Sequence, residues 1–145
     1  MAEIFESAGQ ALLYGLVGFA VMACGFIALD LVTPGKLVHV VWTERNRGAA
    51  VLLAGQTLAI GLVIADAIAA SESERGLADG LLSTLLYGLV GVLVMTLVSV
   101  VVSLMTPGRM GHAVLDDNGD RPHPAAWVQS AMYIGTAFMV GAALA

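Results

Sequence analysis

The sequence predicts an all-α integral membrane protein: four transmembrane helices forming two tandem, parallel-repeat helical hairpins, with both termini outside. Three observations predict it. First, the chain repeats itself. Leu12 to Lys36, LLYGLVGFAVMACGFIALDLVTPGK, matches Leu85 to Arg109, LLYGLVGVLVMTLVSVVVSLMTPGR, at 13 of 25 positions after a shift of 73. A self-match at a fixed period marks a repeated structural unit. Second, four runs lack Asp, Glu, Lys and Arg altogether: Ala8 to Leu29, Gly48 to Ala65, Gly80 to Thr106 and Pro124 to Ala145. Third, five of the six cations fall in two of the three connecting segments.

Composition points the same way. Hydrophobic residues make up 59% of the 145 residues, and the mean hydropathy is +0.89. Soluble domains run at about 45–50% apolar residues. The excess needs lipid as part of the solvent, and roughly 20 apolar residues cross about 30 Å of hydrocarbon. The charge-free runs hold 22, 18, 27 and 22 residues, so four spans fit and little chain remains for a soluble domain.

Taken in order, the first span covers about 8–32 and the third about 80–105. Pro34 and Pro107 end them: proline lacks the amide hydrogen, and its ring pushes the preceding residue out of helical angles. Gly35 and Gly108 permit the reversal, and Lys36 and Arg109 set a cation beyond the negative helix end. Residues Leu37 to Trp42 read as an interfacial segment with Trp42 at headgroup level. The second span covers about 48–70 and the fourth about 124–145, where Pro124 suits a first helical turn. The repeat units are 1–72 and 73–145. Each holds an even number of spans, so both insert with the same orientation. Small residues four apart, including Gly55, Ala59, Gly61, Ala65 and Ala69 in the second span and Ala131, Gly135, Ala137, Gly141 and Ala145 in the fourth, suit close helix approach in lipid. These two spans are expected at the centre or at an oligomer seam.

Orientation follows the cations of the short loops. Lys36, Arg45 and Arg47 lie in one large loop, Arg109 and Arg121 in the other, and Arg75 alone in the acidic connection with Glu72, Glu74 and Asp79. Both large loops are therefore expected in the cytoplasm. The start MAEIFES carries Glu3 and Glu6 and no cation, unlike a secretory leader. The same missing basic start argues against lipoprotein processing at Cys24. A lone cysteine forms no internal disulfide.

Within the spans, polar groups are the candidates for function, because each ionised group costs about 2.5–3.5 kcal/mol at the bilayer centre on insertion scales. Asp30 sits one turn before Pro34, within reach of headgroups and of Lys36 or a loop arginine. The repeat has Ser103 there, so a charged role is not shared by the two copies. Asp66 lies near the outer end of the second span, and Gln56 lies mid-span with an interhelical hydrogen bond expected. Gln56 and Asp66 are ten residues and about 80° apart on a helix, so they only loosely share a face. The histidines His39, His112 and His123 have no zinc spacing. The run Asp116-x-Asn118-x-Asp120 continues with Arg121 where a calcium loop needs glycine. No nucleophile and base, phosphate loop or redox motif is recognisable, so neither an enzyme nor a cofactor is expected. The scattered cations make a poor nucleic-acid footprint.

The paired phrases Asp30-Leu31-Val32-Thr33-Pro34-Gly35-Lys36 and Leu104-Met105-Thr106-Pro107-Gly108-Arg109, with Asn46-Arg47-Gly48-Ala49-Ala50 opening the second span, resemble the bacterial membrane family catalogued as domain of unknown function 350. The resemblance covers nearly the whole chain. It implies a small plasma-membrane (inner-membrane) protein of two tandem units with no assigned reaction. It also implies a signature on Asp30, Thr33, Pro34 and Gly35 and, in the second copy, on Thr106, Pro107 and Gly108. The expected function is a non-enzymatic oligomeric scaffold or accessory subunit in envelope maintenance, with the bilayer, further copies or other membrane proteins as partners. The alternative is a small ion or proton channel or transporter using Asp30, Gln56 and Asp66.

Overall fold

The computed structural model describes residues 1–32, 37–71, 76–105 and 121–145. They form helices α1 (Ala2–Val32), α2 (Leu37–Trp42), α3 (Arg47–Ala70), α4 (Leu77–Met105) and α5 (Pro124–Leu144). Four of these, all but α2, are long and apolar enough to cross a membrane. At 1.5 Å per residue the shortest, α5, is about 31 Å long, matching the hydrocarbon thickness. The repeated phrases end at Thr33, Pro34 and Gly35 and at Thr106, Pro107 and Gly108, which lie outside the described residues, as do Lys36 and Arg109.

α1 begins at Ala2, ahead of the expected start at Ala8. Glu3 in its first turn complements the positive helix end, so the helix continues past the apolar run. α4 likewise begins before Gly80, with Asp79 in its first turn. Ahead of it, Gly76 takes a φ of 114°, a left-handed angle that favours glycine.

α3 is the hub. It touches α1, α2, α4 and α5, and half of its most apolar window (50%) is buried, against 22%, 28% and 33% for α1, α4 and α5. The expected central place of the second span holds. The fourth is less central: α5 lies along α3 and against α4, with Trp127, Val128, Phe138 and Met139 facing outward. Ala131 and Gly135 are exposed on that outward side too, while Ser130 and Gly141 meet α3. The core is made of Val21, Leu29, Leu52, Ala59, Ile60, Val63, Val92, Met95, Tyr133 and Ala137, drawn from all four long helices.

Each long helix packs against its counterpart in the other copy. Between α1 and α4, Tyr14 meets Gly80, Val21 meets Gly88 and Val92 meets Gly25. Between α3 and α5, Ser130 meets Gly55, Tyr133 meets Gln56 and Asp66 meets Gly141. Residue numbers rise together along both pairs, so each pair runs in one direction. Between α1 and α3 they run oppositely, from Gly18 against Ile64 to Gly25 against Ile60. Glycines at these contacts let the helices approach closely: a Cβ on Gly88 would lie 2.8 Å from Val21.

The ends are tied by side chains. Asn46 accepts a hydrogen bond from Ala49 N–H at 2.8 Å and caps α3. Just before it, Arg45 has a φ of 54°, which reverses the chain between α2 and α3. At the other end of α3, the hydroxyls of Ser71 and Thr84 bond to each other and hold the start of α4. α2 buries Leu37 and Val40 against α3 and leaves Trp42 exposed, as an interfacial segment would.

Candidate functional site

The candidate polar groups of the spans fall at three levels. The first is where α1 ends. Asp30, half-buried, accepts a hydrogen bond from the backbone N–H of Leu37 at 2.8 Å through Oδ1. Its described partner is thus a main-chain amide; Lys36, one of the partners expected from sequence, lies outside the described residues. The bond ties the last turn of α1 to the first of α2 and satisfies a donor that a helix start leaves open.

The second level is the α3–α5 seam. Gln56 is 1% exposed and its Nε2 donates to the Tyr133 hydroxyl at 3.2 Å, the interhelical bond expected of it. Ser130 donates to the carbonyl of Val51 at 2.9 Å, one turn away on the same seam. Gln129 is also buried, and its Oε1 meets no donor among the described residues. The third level is Asp66, half-buried, pressed against Gly141 beside a hollow of about 310 Å³ lined also by Ala69, Ala70, Leu144 and Ala145.

Asp30 and Gln56 share one cleft of about 110 Å³, whose other walls are Phe26, Ile27, Leu37, Val38 and Leu53. Asp66 lies apart. Ten residues along α3 separate it from Gln56, about 15 Å. Between them Ala59, Ile60, Val63, Met95 and Ala137 are fully buried (0% exposed), and the adjoining buried Thr136 spends its hydroxyl on the Met132 carbonyl of its own helix, so the band is largely apolar. The three residues singled out from sequence therefore do not form one polar path. Sequence reading missed Tyr133, Ser130 and Gln129. Their spacing, with Gln129 and Tyr133 four apart in an otherwise apolar span, was the available signal. Among the described residues, no three His, Cys, Asp or Glu side chains converge as a metal cage requires.

Fold and site define a small multi-pass helical membrane protein whose buried polar groups bond in part helix to helix and in part to the backbone of their own helix. More narrowly, the chain belongs to the DUF350 family, a Domain of Unknown Function, whose model matches residues 3–144. It is 32% identical over 141 residues to a "UPF0719 transmembrane protein" of Mycolicibacterium paratuberculosis (strain ATCC BAA-968 / K-10), covering 97% of this chain and 90% of that one. It is 34% identical over 146 residues to UPF0719 transmembrane proteins of Mycobacterium bovis (strain ATCC BAA-935 / AF2122/97) and Mycobacterium tuberculosis (strain CDC 1551 / Oshkosh), covering 99% of this chain and 91% of each relative. No solved structure matches the chain at a significant level.

Proposed function

We propose that the protein is a non-enzymatic, oligomeric scaffold or accessory subunit of the bacterial inner membrane, serving envelope maintenance. The observation that carries this reading is the outward side of α3. This helix is the hub of the fold, yet it turns Ala54, Ala65 and Ala69 outward, and nothing lies within 4 Å of where a Gly61 Cβ would stand. Gly61, Ala65 and Ala69 are four apart, so they stack on one face and leave room for another helix backbone. On the same side Leu58 is 62% exposed, so the small stretch is the part of the face that starts at Gly61.

In this reading the chain is two tandem hairpins of the same orientation, with termini outside and both large loops cytoplasmic. The co-directional pairing of α1 with α4 and of α3 with α5 supports the repeat, and the cation asymmetry supports the orientation. Trp42 and Trp127, both exposed near the N-terminal ends of α3 and α5, suit one headgroup level. The test is the subunit count and the co-purifying set by native mass spectrometry from mild detergent. A homo-oligomer or a defined complex is expected; a strict monomer without partners after cross-linking would sink the reading.

The second reading is conduction of ions or protons by Asp30, Gln56 and Asp66. The cleft shared by Asp30 and Gln56 favours it, and the apolar band before Asp66 opposes it within one copy. It predicts a flux in liposomes that Asp66→Asn abolishes at unchanged expression.

A further inference from the structure

The cleft between α1, α2 and α3 is built as a receptor for a hydrogen-bond donor. One carboxylate oxygen of Asp30 is committed to Leu37 N–H, and among the described residues no donor is bonded to Oδ2. The Gln56 amide is committed through Nε2 to Tyr133, and no described donor reaches its carbonyl oxygen. Both residues line the same cleft, so a carboxylate and an amide border a space whose other five lining residues are apolar. Gln56 is buried and Asp30 half-buried, and an acceptor held partly away from water without a donor is costly, a carboxylate more so. A volume of about 110 Å³ exceeds one water and fits a group of a few heavy atoms.

The rim indicates where the occupant comes from. Ile27 and Val38 line the cleft and are 63% and 57% exposed, on the side of the bundle that faces lipid. Asp30 lies in the last turn of α1, at the level where headgroups begin, and the exposed Trp42 closes α2 just beyond. An occupant entering here carries a cationic donor on an apolar body. We propose that this cleft binds the primary ammonium headgroup of a membrane phospholipid, with Asp30 as counter-ion and the Gln56 carbonyl as second acceptor.

The chemistry makes the preference sharp. A primary ammonium offers three N–H donors, a choline headgroup carries the same charge with none, and a glycerol headgroup carries no cation. The protein would be reconstituted in nanodiscs holding equal phosphatidylethanolamine, phosphatidylcholine and phosphatidylglycerol, then released and weighed with its retained lipids. Enrichment of phosphatidylethanolamine by about ten-fold over both others is expected, the scale of one charge-assisted hydrogen bond. Asp30→Asn keeps an oxygen for Leu37 N–H but removes the charge, and is expected to erase the enrichment. Leu53→Phe, which fills the cleft without touching either acceptor, is expected to do the same, while Asp66→Asn leaves it intact. Equal retention of the three lipids, or enrichment that survives both cleft variants, would overturn the proposal. Binding of ethylammonium in phosphatidylglycerol-only nanodiscs, with no preference among lipids, would overturn the lipid source and assign the cleft to a free amine. None of these outcomes depends on whether the protein is a scaffold.

Discussion

The seven residues LLYGLVG occur twice, and the bundle uses them in two ways. In the second copy Gly88 is pressed against Val21, while its counterpart Gly15 has nothing within 4 Å of its Cβ position. Tyr14 reaches across to Gly80, whereas Tyr87, at the matching position, is 37% exposed. The seventh residue of the pattern behaves alike in the two copies: Gly18 meets Ile64 and Gly91 meets Val63, neighbours on α3. Identical sequence thus meets one central helix from two sides and diverges at the Tyr14/Tyr87 and Gly15/Gly88 positions. The repeat dictates two similar spans. The single hub α3, which has no equal in the second copy, decides which face each span buries.

Breaking that asymmetry has its largest expected effect at Gly88. Gly88→Leu drives a side chain into Val21 and should cost up to about 3 kcal/mol by overpacking. Gly15→Leu should stay within about 0.5 kcal/mol. Unfolding of the two variants in detergent micelles checks the difference; equal costs would mean that the copies are packed alike.

The helix caps sharpen the comparison. Asn46 is buried and caps α3, while exposed His123 caps α5 by accepting from Ala125 N–H at 3.1 Å. Asn46→Ala should cost about 1 kcal/mol, and His123→Ala distinctly less. A smaller loss than at the Asn46 cap is expected on the α3–α5 seam. Tyr133→Phe keeps the ring and removes the partner of Gln56, a loss of about 0.6 kcal/mol by the average for interhelical bonds in membranes. A null effect there would mean that packing alone joins the two helices.

Much of the fold was legible because lipid imposes a coarse rule: a long apolar run must become a helix with its own backbone bonds satisfied. The four spans follow from that. The starts of α1 and α4 were less legible, since Glu3 and Asp79 extend helices beyond the apolar runs that mark them. Gln56 was found for the right reason, a mid-span amide seeking a partner, but Tyr133 was hidden because tyrosine also reads as an apolar or interfacial residue. The Asp30 partner was hidden too. Charges suggest charged partners, whereas the bond goes to a main-chain N–H that no sequence pattern names. The meeting of Asp30 with Gln56 and the isolation of Asp66 depend on how α1 and α5 lie on α3, and no local spacing encodes that.

The most direct test of the scaffold reading substitutes the outward face of α3 without touching the core. Gly61→Leu adds bulk where nothing lies within 4 Å, so the fold of one copy should be unchanged. Subunit counting by native mass spectrometry should then find the wild type assembled and Gly61→Leu folded but monomeric, with Gly15→Leu still assembled. An assembly that survives Gly61→Leu intact, or a wild type that is already monomeric and without partners, would contradict the account.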